Sequence, residues 1–342
     1  MSLAANPLWT LSPRSTKSCR MPHSTSTGQF EAGPAWIAAL RPARNRVDPF
    51  RPHGFFIEQE RNASGQVVSS GVILLTNKEC PWRCLMCDLW KNTTTQPVPV
   101  GAIPQQIGHA LSQLGSKPEQ IKLYNSGSFF DRAAIPPDDY PAIAHAISFA
   151  SHVVVESHPR LVGEQAVRFR DLLSGSLEVA LGLETVHRQV LPRLNKKFTL
   201  NHFNRAVEFM RRDGMSVRVF VLVKPPFMNE AEGLEWAVKS AEFAFDCGAN
   251  VVSLIPTRPG NGAMERLMET GDFTPPQLST LERAQELALA IAGAGRVFAD
   301  TWDLQQFSKC PACLEKRRER IQAINLSQQI RPAVECPQCG GA

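Results

Sequence analysis

Three things are missing from this chain. It has no apolar run approaching the ~18 residues that a membrane-spanning helix requires. It has no acidic residue before Glu31, and no fourth Cys or His near the three cysteines in "NKECPWRCLMCDLWKN" (77–92). The first absence predicts a protein without helical membrane spans. Seven of the nine cysteines fall in tight clusters, which predicts metal binding in a reducing, cytoplasmic compartment rather than a secreted disulfide scaffold. The second absence, with Ser, Thr and Pro abundant and Arg14, Lys17 and Arg20 present, gives the start a transit-peptide flavour. Residues 1–46 are therefore expected to be a leader or disordered segment, with Met21 as an alternative start. The third absence narrows the chemistry of Cys80, Cys84 and Cys87. Adjacent disulfides in so short a loop are strained and leave one thiol over. Structural zinc takes four ligands. A [4Fe–4S] cluster is usually held by four thiolates, and three would leave one iron open to a substrate or cofactor.

The chain has 342 residues, 43% of them hydrophobic and 20% charged, which suits one large α/β domain with appendages. Its net charge of +5 permits a nucleic-acid partner without demanding one. "GFFIEQER" (54–61) and "VVSSGVILLT" (67–76) read as β-segments joined by the turn "NASG". Apolar runs then recur at 71–76, 121–125, 152–157, 177–183, 217–223 and 251–256, with amphipathic helical patterns between them. That alternation predicts an α/β fold, a partial (β/α)6 TIM-like barrel over residues 47–300, to which "RVFAD" (296–300) adds a candidate strand. Such barrels place their chemistry at the C-terminal ends of the strands, and the cysteine loop follows the first of these. Near the chain's end, Cys310 and Cys313 form one C-P-x-C knuckle and Cys336 and Cys339 another. They predict a small four-cysteine metal-binding module over 301–342, holding zinc or else an auxiliary Fe–S cluster. Lys316, Arg317, Arg318 and Arg320 between the knuckles read as a solvated face or an RNA contact, and Cys247 as a core thiol.

"CPWRCLMC" after a β-strand, followed by repeated β/α units, resembles the radical S-adenosylmethionine (SAM) superfamily. In that family three thiolates hold a [4Fe–4S] cluster whose fourth iron chelates SAM. Reductive cleavage then yields a 5′-deoxyadenosyl radical that abstracts hydrogen from substrate. The resemblance implies further SAM contacts. Met86 occupies the position where the family often has an aromatic beside the adenine. Asn125, Ser126, Gly127 and Ser128 match the loop that meets the SAM amino group. Glu184, in "LGLET", would accept from ribose hydroxyls or pair with a cation. Glu156 or His158 would meet SAM or substrate, and Lys224 and Arg258 would meet a carboxylate or phosphate. "NSGSFFD", "VVVESHP", "ALGLETVHRQVLPRLNKKFT", "VLVKPPF" and the paired C-terminal cysteines together resemble the archaeosine-biosynthesis branch, over roughly residues 47–342. The branch cleaves a C–N bond in a lysine-adducted 7-deazaguanine of tRNA. It implies tRNA as partner and an electron donor such as flavodoxin or ferredoxin. A radical SAM methylthiotransferase or methyltransferase is one alternative, and a non-catalytic Fe–S/zinc nucleic-acid-binding protein is another.

Overall fold

The computed structural model describes residues 32–339. Helix α1 (Pro34–Ala39) precedes a hairpin of β1 (Gly54–Arg61) and β2 (Val67–Leu74). Next come α2 (Ala102–Gln113), β3 (Gln120–Tyr124), α3 (Tyr140–Ala146), β4 (His152–Ser157), α4 (Glu164–Leu172) and β5 (Ser176–Glu184). Then follow the short α5 (Val190–Arg193), α6 (Leu200–Arg212), β6 (Ser216–Val223), α7 (Glu230–Cys247) and β7 (Val251–Pro256). Helices α8 (Ala263–Glu269) and α9 (Leu278–Ile291), strand β8 (Arg296–Ala299) and helix α10 (Pro311–Ser327) complete the order. The eight strands form one sheet in sequence order, β1 to β8. Only β1–β2 is antiparallel; every later pair is parallel. The curled sheet is an open partial barrel. The six expected barrel strands are β2 to β7, and the candidate run at 296–300 supplies β8.

Alternation along the strands splits their side chains between two faces. Ile121, Leu123, Val153, Val155, Val179, Leu181, Val217 and Val219 are fully buried in the core shared with the helices. Their neighbours Lys122, Tyr124, Glu178, Arg218 and Phe220 therefore lie on the concave face. Close to the N-terminal ends of the strands, that face carries a buried ionic floor. Arg218 reaches Glu60 and Glu178, both at 2.6 Å, and Lys122 reaches Glu58 at 2.6 Å and also Glu60. Burial alone would raise the Glu178 carboxyl, but Arg218 and His152 override it and hold it at about 2 instead of the ordinary 4.5. Its contribution to stability is thus complete above pH 4.5 and lost as pH falls through about 2. Arg218→Met would take the closest cation from buried Glu178 and leave buried Glu60 to Lys122 alone. Its expected cost is about 3–5 kcal/mol at pH 7. Urea titration should show that cost shrinking as pH falls from 4.5 towards 2. A variant equally stable at every pH would remove this floor from the stability account.

Helix α10, within the expected terminal module, packs on the barrel. Ile321 and Ile324 are fully buried, and Ile321 joins the main core. Arg317 and Arg320, which read from sequence as surface charge, are buried and bind Glu282 and Glu286 of α9. Lys316 alone of that basic group is exposed; Arg318 pairs with Glu315 at 2.8 Å. Asn325 takes the Ala299 N–H and C=O, both at 2.9 Å. Gln328 does the same at Val297, at 2.7 and 2.9 Å. The expected leader boundary at residue 46 also moves. Ala32 and Ile37 are buried in a cluster with Leu85, Met264 and Phe273, because the apolar side chains of α1 pack over the cysteine loop. The rest of the expected leader, residues 1–31 with Cys19, lies outside the described residues. Among those described, no helix is long and apolar enough to cross a membrane.

Candidate functional site

The cysteine loop leaves β2 at the C-terminal end of the parallel strands and is fastened by residues far from it in sequence. The Leu85 N–H donates to the Leu194 carbonyl at 2.9 Å. Asn195 Nδ2 donates to the Arg83 carbonyl at 2.5 Å. Asn261 Nδ2 bridges the carbonyls of Leu85 (2.7 Å) and Cys87 (3.1 Å), while its Oδ1 accepts from the Met264 N–H at 2.9 Å. Glu79, beside Cys80, gathers Arg41 at 2.6 Å, Arg83 at 2.9 Å and Arg44. The Arg41 guanidinium lies 4.6 Å from the ring centre of Trp90. Sequence reasoning missed Asn195, Asn261, Glu79 and Arg41. The only available signal for the asparagines was their place in the loops after β5 and β7.

Cys80, Cys84 and Cys87 are half-buried, and burial pushes each thiol up to about 12. Such thiols stay protonated at neutral pH until a cation takes the proton's place, as metal binding does. Loop 125–128 lies directly against them. A Cβ at Gly127 would sit 3.2 Å from the Cys80 Cβ, so a side chain there would crowd the cysteine loop. Ser126 adopts a left-handed φ of 53°. Glu156 organises this turn: its carboxylate accepts from the Asn125 N–H at 2.6 Å and from the amides of Gly127 and Ser126. Burial raises the Glu156 pKa despite these amides. Its carboxylate is thus committed to the loop. Ser128 Oγ meets Ser157 Oγ at 2.8 Å. The Asn125 side chain is fully buried, yet neither its Oδ1 nor its Nδ2 finds a partner among the described residues. An unpaired buried amide beside three thiols is what a polar ligand there would satisfy.

Glu184 ends β5 in a left-handed conformation (φ 66°) and forms a buried ion pair with Lys196. A Cβ at Gly182 would collide with both charged groups, so the glycine two residues before the glutamate makes room for the pair. Lys196 was also missed from sequence. Burial opposes its charge, but Glu184 and then Cys84 raise its pKa, so a protonated ammonium faces the cysteine loop. Met86 is half-buried against the cluster containing Leu85 and Ile37. Lys224 is buried and donates to Glu230 (2.6 Å), Thr274 (2.7 Å) and the Pro275 carbonyl (3.4 Å), which uses all three of its protons. The structure therefore gives Lys224 a tie between loops. Arg258 pairs with Asp300 at 2.5 Å. His158 accepts at Nδ1 from the Arg160 N–H (3.2 Å), so Nε2 donates to the Lys196 carbonyl (2.8 Å). Burial, then Lys196, lowers its pKa to about 3, which leaves it neutral.

No protein-family model matches the chain. It is 23% identical to an uncharacterised protein of Methanocaldococcus jannaschii over 86% of each chain. It is 27% identical to the archaeosine synthase subunit beta of Methanosarcina acetivorans, over 60% of this chain and 63% of that protein, so the match spans less than two thirds of that relative. The chain resembles the archaeosine branch of the radical SAM superfamily. Among solved structures, archaeal Elp3 of Methanocaldococcus infernus is 15% identical, with a TM-score of 0.48 over 65% of this chain and 59% of that one.

The paired C-terminal knuckles also come together in space. The sulfurs of Cys310, Cys313, Cys336 and Cys339 all lie within 4.8 Å of one another. Cys310 faces Cys336 at 3.8 Å and Cys313 faces Cys339 at 3.7 Å. The backbone amides of Gln338 and Cys339 lower the Cys336 thiol to about 7. Four converging thiols at this spacing fit one tetrahedral metal ion.

Proposed function

We propose that this chain is a radical SAM enzyme that modifies a nucleobase of tRNA. The observation that carries the proposal is the three-thiol loop at the strand ends, closed against the Asn125–Ser128 turn with the Asn125 amide unpartnered. Cys80, Cys84 and Cys87 would hold three irons of a [4Fe–4S] cluster. Asn125 would offer an acceptor and a donor to the amino and carboxylate groups of SAM, on a turn that Glu156 fixes. Cluster and SAM together supply one-electron chemistry strong enough to remove hydrogen from an unactivated carbon. Asn195 and Asn261 hold the cysteine loop still. The Glu184–Lys196 pair places one carboxylate and one ammonium beside it without net charge.

The motif resemblance implies a lysine-adducted 7-deazaguanine as substrate and C–N cleavage as the reaction, and likeness to a protein named archaeosine synthase subunit beta supports a second subunit as partner. A flavodoxin or ferredoxin would supply the electron. Zinc is the metal proposed for the closed four-cysteine site, since a saturated tetrathiolate leaves no position for substrate. Anaerobic reconstitution followed by chromatography for 5′-deoxyadenosine tests the chemistry. Nucleoside mass spectrometry of tRNA from a deletion strain tests the substrate. A reconstituted cluster that never cleaves SAM would sink the proposal.

Glu184→Gln is expected to leave iron content intact and weaken SAM binding about ten- to a hundred-fold. One lost charge-assisted bond is worth about 1.5–3 kcal/mol. Calorimetric titration of SAM checks it. Unchanged affinity with a lower Tm would reduce Glu184 to a structural partner of Lys196.

A further inference from the structure

Beside the cysteine loop sits a group of residues that the SAM site does not use. The Trp82 indole stacks on the His158 imidazole, with ring centres 3.7 Å apart and planes 9° apart. His158 is itself locked by Arg160 and Lys196 and braced edge-on by Phe198 at 5.6 Å. Trp82 is only half-buried, so a rigidly held indole keeps solvent-facing surface. Two exposed cations belong to the segments that hold His158: Arg160, from whose N–H it accepts, and Lys197, which follows the carbonyl it donates to. Arg160 Nη1 donates to the Lys197 carbonyl at 3.3 Å, and its other guanidinium nitrogens have no partner among the described residues. Lys197 is exposed and forms no ion pair among those residues.

The backbone here is held in an unfavourable shape. Asn195 (φ 55°) and Lys197 (φ 59°) are both left-handed non-glycine residues. A lysine rarely adopts this conformation, an asparagine more readily, and the fold tolerates both within three positions. In this shape Lys196 points to Glu184 and the thiols, while Lys197 remains at the surface. One loop thus supplies a cation to the interior and another to the rim. The charges lowering the His158 pKa are Lys196, Arg160 and His202, all potential cations. Asp131, whose charge acts on Cys80, accepts from the Ala133 N–H at 2.9 Å.

We infer that Trp82, Arg160 and Lys197 dock one nucleotide of the tRNA strand, the base on the indole and the phosphate between the two cations. The inference deepens the proposed function and rests on its RNA substrate. A fixed aromatic face accepts any base, and paired cations meet the backbone phosphate that every nucleotide carries. The site would hold a flanking nucleotide and so bring its neighbour to the cluster.

The test uses the reconstituted full-length protein and unfractionated tRNA labelled at its 3′ end, with Kd measured over a range of KCl concentrations. Arg160→Gln with Lys197→Gln should reduce the slope of log K against log salt by roughly 0.7–0.9, the value for one phosphate no longer neutralised. Trp82→Ala should raise Kd roughly five- to a hundred-fold with an unchanged slope. Trp82 lies between two cysteines, so its variant counts only if iron content is full; the charge variant lies outside that loop and decides alone. Wild-type protein that fails to bind tRNA would overturn the RNA substrate and this site with it. Wild-type binding matched in affinity and slope by the charge variant would overturn the docking site and leave the substrate standing.

Discussion

Replacing Cys80, Cys84 and Cys87 together by alanine is expected to remove all cluster iron from the anaerobically reconstituted protein while the C-terminal metal stays bound. The two sulfur groups are independent in sequence and separately organised. The first is fixed by Asn195, Asn261 and Leu194, the second by the start of α10 and the knuckle at 336–339. Buried thiols with pKa near 12 gain nothing from ionising unless iron is present, so their removal leaves no uncompensated charge. The variant should therefore stay folded and lose SAM cleavage completely. Iron and sulfide analysis beside zinc analysis gives the answer directly. A triple variant that keeps its iron would move the cluster elsewhere and end the radical SAM assignment of this loop.

Cys310→Ser with Cys339→Ser should release one equivalent of metal, expected to be zinc. Binding of structural zinc by four thiolates contributes about 10–16 kcal/mol in small peptides. A smaller share is at stake here, because α10 is already held by Ile321, Ile324 and the arginine pairs to α9. The metal staples the first turn of α10 to the chain beyond it. The first turn and residues 334–339 should therefore lose amide-exchange protection first, with Ile321 and its neighbours retaining theirs. Finding iron and sulfide in the released metal would instead identify an auxiliary cluster and point to electron transfer.

The features of this molecule that were legible in its sequence are those whose parts are close together in the chain. Both cysteine groups have their spacing written locally. The strands of the barrel appear as apolar runs because both of their faces are covered. What acts across the fold was not legible. Asn261 reaches the Cys87 carbonyl from another loop, and no local pattern marks an asparagine as a clamp. Lys196 reads like its neighbour Lys197, although only the backbone turn between them sends one inward and leaves the other exposed. Arg317 and Arg320 read as solvated because a helix pattern shows charge without showing the acids of α9 opposite. Helix α1 reads as part of a leader because its Pro- and Arg-rich flanks conceal how completely Ile37 is buried.

The side-chain amides on β8 also govern how the protein behaves towards other copies of itself. An outermost strand with open N–H and C=O groups is a template on which a foreign strand can grow, and aggregation begins at such templates. On β8 the outward-facing groups of Val297 and Ala299 are already taken, by Gln328 and Asn325. Two amides imitate the strand that would otherwise be recruited. Among the described residues the sheet is terminated chemically at that edge, without a further strand, and polymerisation along it has nowhere to start.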